Sequence, residues 1–254
     1  MGCCDSKNSM LERPSTRSTL PTHRLQIWGD FHSTDTRVIL SILEYCQITY
    51  EFELVDILKD QQNKSKFRKL SPDGKIPLIK DNTFIIYPGL KSQIFYLANA
   101  YDEIKSKLYF EEESGQTYMT EQFLVWYQSE MKPVTSIIEQ ALLKSFLNKD
   151  IYLKQMKAIQ DQINIFDQRI LSHLEELFEI MKINSSIEQQ YICGNKLTLP
   201  DILAYQEIFS VLKLSQKSLD QQRYPKVYEW FHNTMAKSLE IQKVNQKFYW
   251  VKQV

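Results

Sequence analysis

The hydrophobic period of this chain changes once along its length, and that change limits the folds open to it. Over residues 25–101, short apolar runs switch between a two-residue and a three-to-four-residue repeat. Leu25-Gln26-Ile27-Trp28 predicts a strand, and Tyr50, Phe52 and Leu54 alternating with Glu51 and Glu53 predict a half-buried one. Between them Val38, Ile39, Ile42, Leu43 and Cys46 recur at helical spacing. A polar, Lys-rich helix is expected over 60–69, then a turn at Ser71-Pro72-Asp73-Gly74. Ile76-Pro77-Leu78-Ile79 and Thr83-Phe84-Ile85-Ile86 predict a hairpin around Asp81-Asn82, and residues 90–101 a further helix. The order β-α-β-α-β-β-α describes a small α/β domain over 25–101.

Beyond residue 115 no strand pattern of comparable strength occurs, and 115–254 is expected to be an all-helical domain. Tyr152, Met156, Ile159, Ile163, Phe166, Ile170, Leu174, Leu177 and Met181 are spaced by threes and fours, which predicts one long amphipathic helix. Thr198-Leu199-Pro200-Asp201 starts another. Thr198 can cap it, Asp201 can reach back three residues, and Leu197 can pack on Ile202.

Residues 1–24 have no hydrophobic period and no apolar signal region, so they are expected to form a disordered tether. The tether opens Met1-Gly2-Cys3-Cys4-Asp5-Ser6, the pattern for myristoylation at Gly2. One myristoyl chain anchors only marginally, and palmitoylation of Cys3 and Cys4 would supply a second signal. The other reading is a chance start to a flexible tail. The anchored form would sit on the cytosolic face of a membrane. Across the 254 residues Lys+Arg and Asp+Glu are 31 each, which gives a non-specific nucleic-acid surface no electrostatic support. The four cysteines have neither a disulfide framework nor zinc spacing, and His23, His32, His173 and His232 form no metal pattern. A cytoplasmic protein without a metal is expected. Cys46 and Cys193 lie among apolar residues and are expected to be buried, and His32 is not assigned as a base.

A small β-α-β-α-β-β-α domain joined to a helical one resembles the soluble glutathione transferases. Ser71-Pro72-Asp73-Gly74-Lys75-Ile76-Pro77 is similar to the family's N-P-x-G-K-V-P segment, and Thr198-Leu199-Pro200-Asp201 to its capping box. From Asp56 to Pro77 the spacing fits the theta class without a gap. Asp30-Phe31-His32-Ser33, with Arg37 following, resembles the theta serine that lies four residues before an arginine. The resemblance implies the glutathione transferase fold, a thioredoxin-like domain followed by a helical bundle, and a homodimer. It implies a cis bond before Pro77, with Ile76 presenting backbone groups to the cysteinyl part of glutathione. Lys75 and Gln62 would hold the glycyl carboxylate.

The implied chemistry is thiolate attack on a hydrophobic electrophile, with glutathione as co-substrate and no further cofactor. A free thiol has a pKa of ~8.5, and lowering it by two units takes ~2.7 kcal/mol of preference for the anion. A hydroxyl hydrogen bond from Ser33 supplies ~1.5–3 kcal/mol. The start of the following helix adds ~0.3–1 kcal/mol. Ser33 can equally be a helix cap. Two positions depart from the family pattern. Ile86-Tyr87-Pro88-Gly89-Leu90 stands where the family places the acid–serine pair that holds the γ-glutamyl end, and Ser92 lies beyond that position. Asp35 replaces the theta proline and brings a charge that repels a thiolate. Trp126 and its neighbours are read as electrophile pocket or as core. The functional expectation is a membrane-tethered, theta-like transferase; the alternative is a non-catalytic binding module of the same fold.

Overall fold

A computed structural model describes residues 24–109, 115–147, 149–184 and 190–248. Gly2, Cys3 and Cys4 lie outside them. The first block runs β1 (Leu25–Gly29), α1 (Thr34–Cys46), β2 (Glu51–Leu54), α2 (Ser65–Arg68), β3 (Leu78–Asp81), β4 (Phe84–Ile86) and α3 (Leu90–Ala100). The four strands order as β2-β1-β3-β4, with β1 and β2 parallel and the β1–β3 and β3–β4 pairs antiparallel. Alternation of side chains across the pleat divides the strands' apolar residues between two clusters. Leu25, Ile27 and Ile79 belong to the main core with α1 and α3, whereas Trp28 and Leu78 cluster with Val55 and Phe67.

The helix expected over 60–69 is not continuous. Two tight turns, Ile57–Lys59 and Gln61–Asn63, precede the single turn of α2. Asp60 is left-handed at φ 56°, and its carboxylate accepts from Gln62 Nε2 at 3.1 Å and Asn63 Nδ2 at 2.6 Å. An aspartate that hydrogen-bonds its own turn competes with helix propagation, and of the residues in α2 only Phe67 is buried to hold one in place.

The second block is helical, as expected. A short helix, α4 (Asp102–Leu108), leads into α5 (Gly115–Trp126), α6 (Lys132–Leu147), α7 (Lys149–Ile165) and α8 (Ser172–Asn184). Then follow α9 (Leu199–Ser215), α10 (Pro225–Glu229) and α11 (Leu239–Asn245). The expected long amphipathic helix is α7 and α8 joined by a widened π-type turn at Phe166–Leu171. Ile159, Ile163, Phe166, Ile170 and Leu174 of its stripe are buried; the side chains of Tyr152 and Met181 lie outside the described set. The α9 start is built as the spacing predicts. Asp201 accepts from the Thr198 amide at 2.9 Å and its hydroxyl at 2.7 Å, and Leu197 and Ile202 are buried. The same carboxylate also accepts from the Ile192 amide at 2.8 Å and from Trp230 Nε1 at 3.0 Å, so it ties three segments together.

Candidate active site

Strand register decides which loops meet. Trp28 pairs with Leu78, Gly29 with Leu54, and Ile79 with Ile86. The carboxyl end of β1 is therefore level with the carboxyl ends of β2 and β4 and with the start of β3. Residues 30–37, 55–62, 75–77 and 87–92 leave or enter the sheet at that one end. Ser33, Gln62, Lys75, Ile76 and Pro77, far apart in the chain, share this edge. The Ile76–Pro77 peptide is cis. Gln93, wholly buried in α3, donates to the Pro77 carbonyl at 2.7 Å and links that bend to the helix start at Gly89.

Gly74 joins two of these loops. At φ +65° it takes a backbone shape that favours glycine, and a Cβ there would lie 2.8 Å from the Gln62 carbonyl. Gln62 and Lys75 are thus on neighbouring loops. Gln62 Nε2 is engaged with Asp60, while its Oε1 is buried without a partner. Lys75 is exposed, with its ammonium 3.8 Å from Asp73.

Ser33 is the N-cap of α1. Its Oγ accepts from the Thr36 amide at 3.4 Å, a long bond. The capping role is therefore present, and an accepting hydroxyl keeps its own hydrogen to donate elsewhere. Sequence reasoning missed the next residue. The Thr34 amide donates to Glu139 Oε1 at 3.0 Å and the Thr34 hydroxyl to Glu139 Oε2 at 2.7 Å, so a carboxylate from α6 sits at the start of α1. This corrects the expected contribution of the helix terminus to an external anion, because an internal one already occupies it. The charge of Asp35 is also balanced: its carboxylate lies 2.5 Å from Lys132 Nζ, which reaches Glu207 at 2.8 Å as well.

Arg37, at first only a spacing marker, is completely buried. Its guanidinium donates to the Phe31 carbonyl at 2.5 Å, to Gln206 at 3.0 Å, to Thr34 Oγ1 at 3.3 Å and to Ser210 Oγ. Phe209 and Phe248 lie 5.4 Å from it. Burial lowers its pKa to about 10, which leaves it charged at neutral pH. Burial also raises the Glu139 carboxyl against the pull of Lys132 and Arg37. No local periodicity signals this network, because its partners lie far apart in sequence.

A cleft of about 550 Å³ opens beside the network, lined by Asp35, Gly89, Lys91, Ser92, Gln128 and Lys132. Gly89 starts α3 without a side-chain cap. The acid–serine pair has no equivalent at this point. Ser92 does line the cleft, but its hydroxyl turns back to the Gly89 carbonyl at 2.8 Å.

Other residues singled out from sequence fall elsewhere. His32 is buried against the Asp30 carboxylate at 2.8 Å and packs on Phe248. Trp126 packs 4.6 Å from the His173 ring and 5.5 Å from Phe123. Cys46 and Cys193 are buried, and desolvation raises their thiols to about 11 and about 12, the opposite of a reactive cysteine. No group of three or more metal-ligating side chains occurs among the described residues.

A sheet of this topology with a cis-proline edge facing a helical block defines the glutathione-transferase fold. Residues 134–238 match the family profile described as glutathione S-transferase, C-terminal domain. Glutathione S-transferase hmp2 of Hypomyces subiculosus is 28% identical over 215 residues, 84% of this chain and 94% of that protein. Glutathione S-transferase theta-1 of Bos taurus is 19% identical, covering 72% of each chain. The crystal structure of a glutathione transferase homolog from Lodderomyces elongisporus, with two GSH per subunit, superposes with a TM-score of 0.68 at 22% identity, over 88% of this chain and 98% of that one. Human glutathione transferase theta-2 in complex with glutathione gives 0.64 at 16% identity, over 87% and 90%. Residues 134–238 are thus similar to the glutathione S-transferase C-terminal domain, and the fold is that of the glutathione transferases.

Proposed function

We propose that this protein is a theta-like glutathione transferase in which the Ser33 hydroxyl stabilises the glutathione thiolate for attack on a hydrophobic electrophile. The observation that carries this reading is the one sheet end shared by Ser33, Gln62, Lys75 and the cis Ile76–Pro77 bend; the cleft takes in Asp35 and Gly89 from adjoining segments but none of these five residues. Lys75 and Gln62 would receive the glycyl carboxylate. Ile76 would offer its backbone to the cysteinyl unit. The γ-glutamyl end would lie toward the first turn of α3, near Lys91. A single hydroxyl donor to a thiolate is worth ~1.5–3 kcal/mol. Ser33→Ala is therefore expected to slow conjugation of a chloronitrobenzene about 10- to 150-fold while glutathione–agarose still retains the protein. Equal turnover in wild type and variant would remove Ser33 from the mechanism.

The second reading, a non-catalytic module of the same fold, is favoured by two observations. Pro88 and Gly89 stand where the family has its acid–serine pair, and Glu139 already occupies the start of α1. Failure of glutathione–agarose to retain the protein at millimolar glutathione would decide for that reading.

Two further elements complete the proposal. A homodimer is supported by exposed apolar side chains on α3 and α5: Phe95, Tyr118 and Val125 are 71%, 64% and 69% accessible. Phe95 and Val125 border a groove of about 820 Å³ between those helices. Tethering rests on Gly2, Cys3 and Cys4, since no helix among the described residues is long and apolar enough to cross a membrane. Myristoylation of Gly2 with palmitoylation of Cys3 and Cys4 would hold the enzyme on the cytosolic membrane face, where hydrophobic electrophiles partition. Gly2→Ala is expected to move the protein from the membrane to the soluble fraction of expressing cells. Identical fractionation would remove the anchor.

A further inference from the structure

We infer that Glu139, on α6, is a positioning residue that holds the Ser33–Thr34 turn in place from the helical block, so that the Ser33 hydroxyl is presented to a bound thiol. This rests on the thiolate reading above and deepens it.

Three observations carry the inference. Glu139 binds both the amide and the hydroxyl of Thr34, the residue directly after Ser33, across 105 positions of sequence. The donor directions along the adjoining network are then set. A carboxylate can only accept, so the Thr34 hydroxyl donates to Glu139 and must itself accept from Ser210, 2.5 Å away. Ser210 accepts in turn from Arg37. Finally, the Thr34 amide is satisfied by Glu139, and the Thr36 amide is bound to Ser33 Oγ at 3.4 Å. With the Thr34 and Thr36 amides engaged, the Ser33 O–H is a donor that this turn still offers an external anion, beside the Asp35 amide. A mobile turn would lose that arrangement, because rotation about the Ser33–Thr34 linkage re-aims the hydroxyl.

Glu139 stands in a cluster where Asp35, Glu139 and Glu207 face both Lys132 and Arg37, and Asp30 faces Arg37 as well. Without Glu139 each cation still faces at least two carboxylates, so Glu139→Ala does not strand a buried cation. Glu139→Gln keeps an acceptor for the Thr34 amide and is the conservative comparison.

Two measurements on the full chain test the inference. The first needs no ligand: amide hydrogen exchange at Thr34, followed by NMR. Loss of a bond to a charged acceptor is expected to speed exchange in Glu139→Ala by about 10- to 150-fold, with Glu139→Gln close to wild type. Unchanged exchange in Glu139→Ala overturns the inference outright. The second is the pH profile of conjugation with glutathione. Glu139→Ala is expected to move the thiol limb up by about one pH unit, and Glu139→Gln to restore or lower it, since it keeps the anchor and removes a negative charge. A loss of thermal stability alone, with the limb unmoved, is what a purely structural residue would give, and it overturns the inference. A shifted thiol in wild type matched by Glu139→Ala defeats the positioning role alone. A wild type with an unshifted thiol defeats the thiolate reading and the positioning role with it.

Discussion

Arg37→Met is expected to destabilise the protein by about 3–5 kcal/mol, because it breaks a buried charge network rather than a surface pair. Arg37 reaches Phe31, Thr34, Gln206 and Ser210 and lies 5.4 Å from the rings of both Phe209 and Phe248, so its removal leaves the Phe31 carbonyl and Gln206 Oε1 without this donor. It also leaves Lys132 alone against three carboxylates. For a chain of this size the loss corresponds to a fall in Tm of about 6–20 °C. Arg37→Lys keeps the charge but not the planar fork, and an intermediate loss is expected. The check is thermal unfolding of the three proteins side by side. A Tm for Arg37→Met within about 2 °C of wild type would mean that the network does not hold α1 to α9.

Asp201→Asn is the second large effect. Four donors converge on the two oxygens of this buried carboxylate, and an amide turns one oxygen into a donor that faces donors. Charge-assisted bonds are worth about 1.5–3 kcal/mol each, and a donor left facing a donor adds to the loss, so at least about 3 kcal/mol is expected. The pH dependence has a definite sign. Burial raises the Asp201 carboxyl to about 6 despite its donors, whereas an unfolded aspartate titrates near 3.8. Between those values the native state holds a proton that the unfolded state has released, so this group loses stability as pH rises. The advantage of wild type over Asp201→Asn is expected to be largest near pH 4 and to shrink by about 3 kcal/mol by pH 7. Urea unfolding of both proteins across that range measures it. A difference that grows with pH would show that the four donors outweigh burial.

Neither residue stands out as critical by type, yet each secures a different joint. Asp201 closes the α9 start against 192 and 230, and that role was partly legible: the Thr198–Asp201 spacing announces a cap, though not the Trp230 and Ile192 donors. Arg37 was legible only as a spacing. The hairpin around Asn82 was readable because it depends on residues adjacent in sequence, whereas the cis bond before Pro77 was expected only from the family resemblance of residues 71–77. The break in the 60–69 helix was missed for a local reason, a left-handed Asp60 that bonds its own turn.

Local chemistry along the chain was enough to determine the order of strands and helices, the capping box and the burial of Cys46 and Cys193. Each depends on periodicity, turn chemistry or neighbouring side chains, which are properties of a few consecutive residues. Tertiary structure alone decided that the start of α1 carries Glu139, that Asp35 is neutralised by Lys132, and that Ser33, Gln62, Lys75, Ile76 and Pro77 share one sheet edge. Those outcomes depend on strand register and on a carboxylate 105 residues from its partner. Charges that far apart meet only when the folded backbone brings them within a few ångströms, in surroundings too poor in water to leave them unpaired.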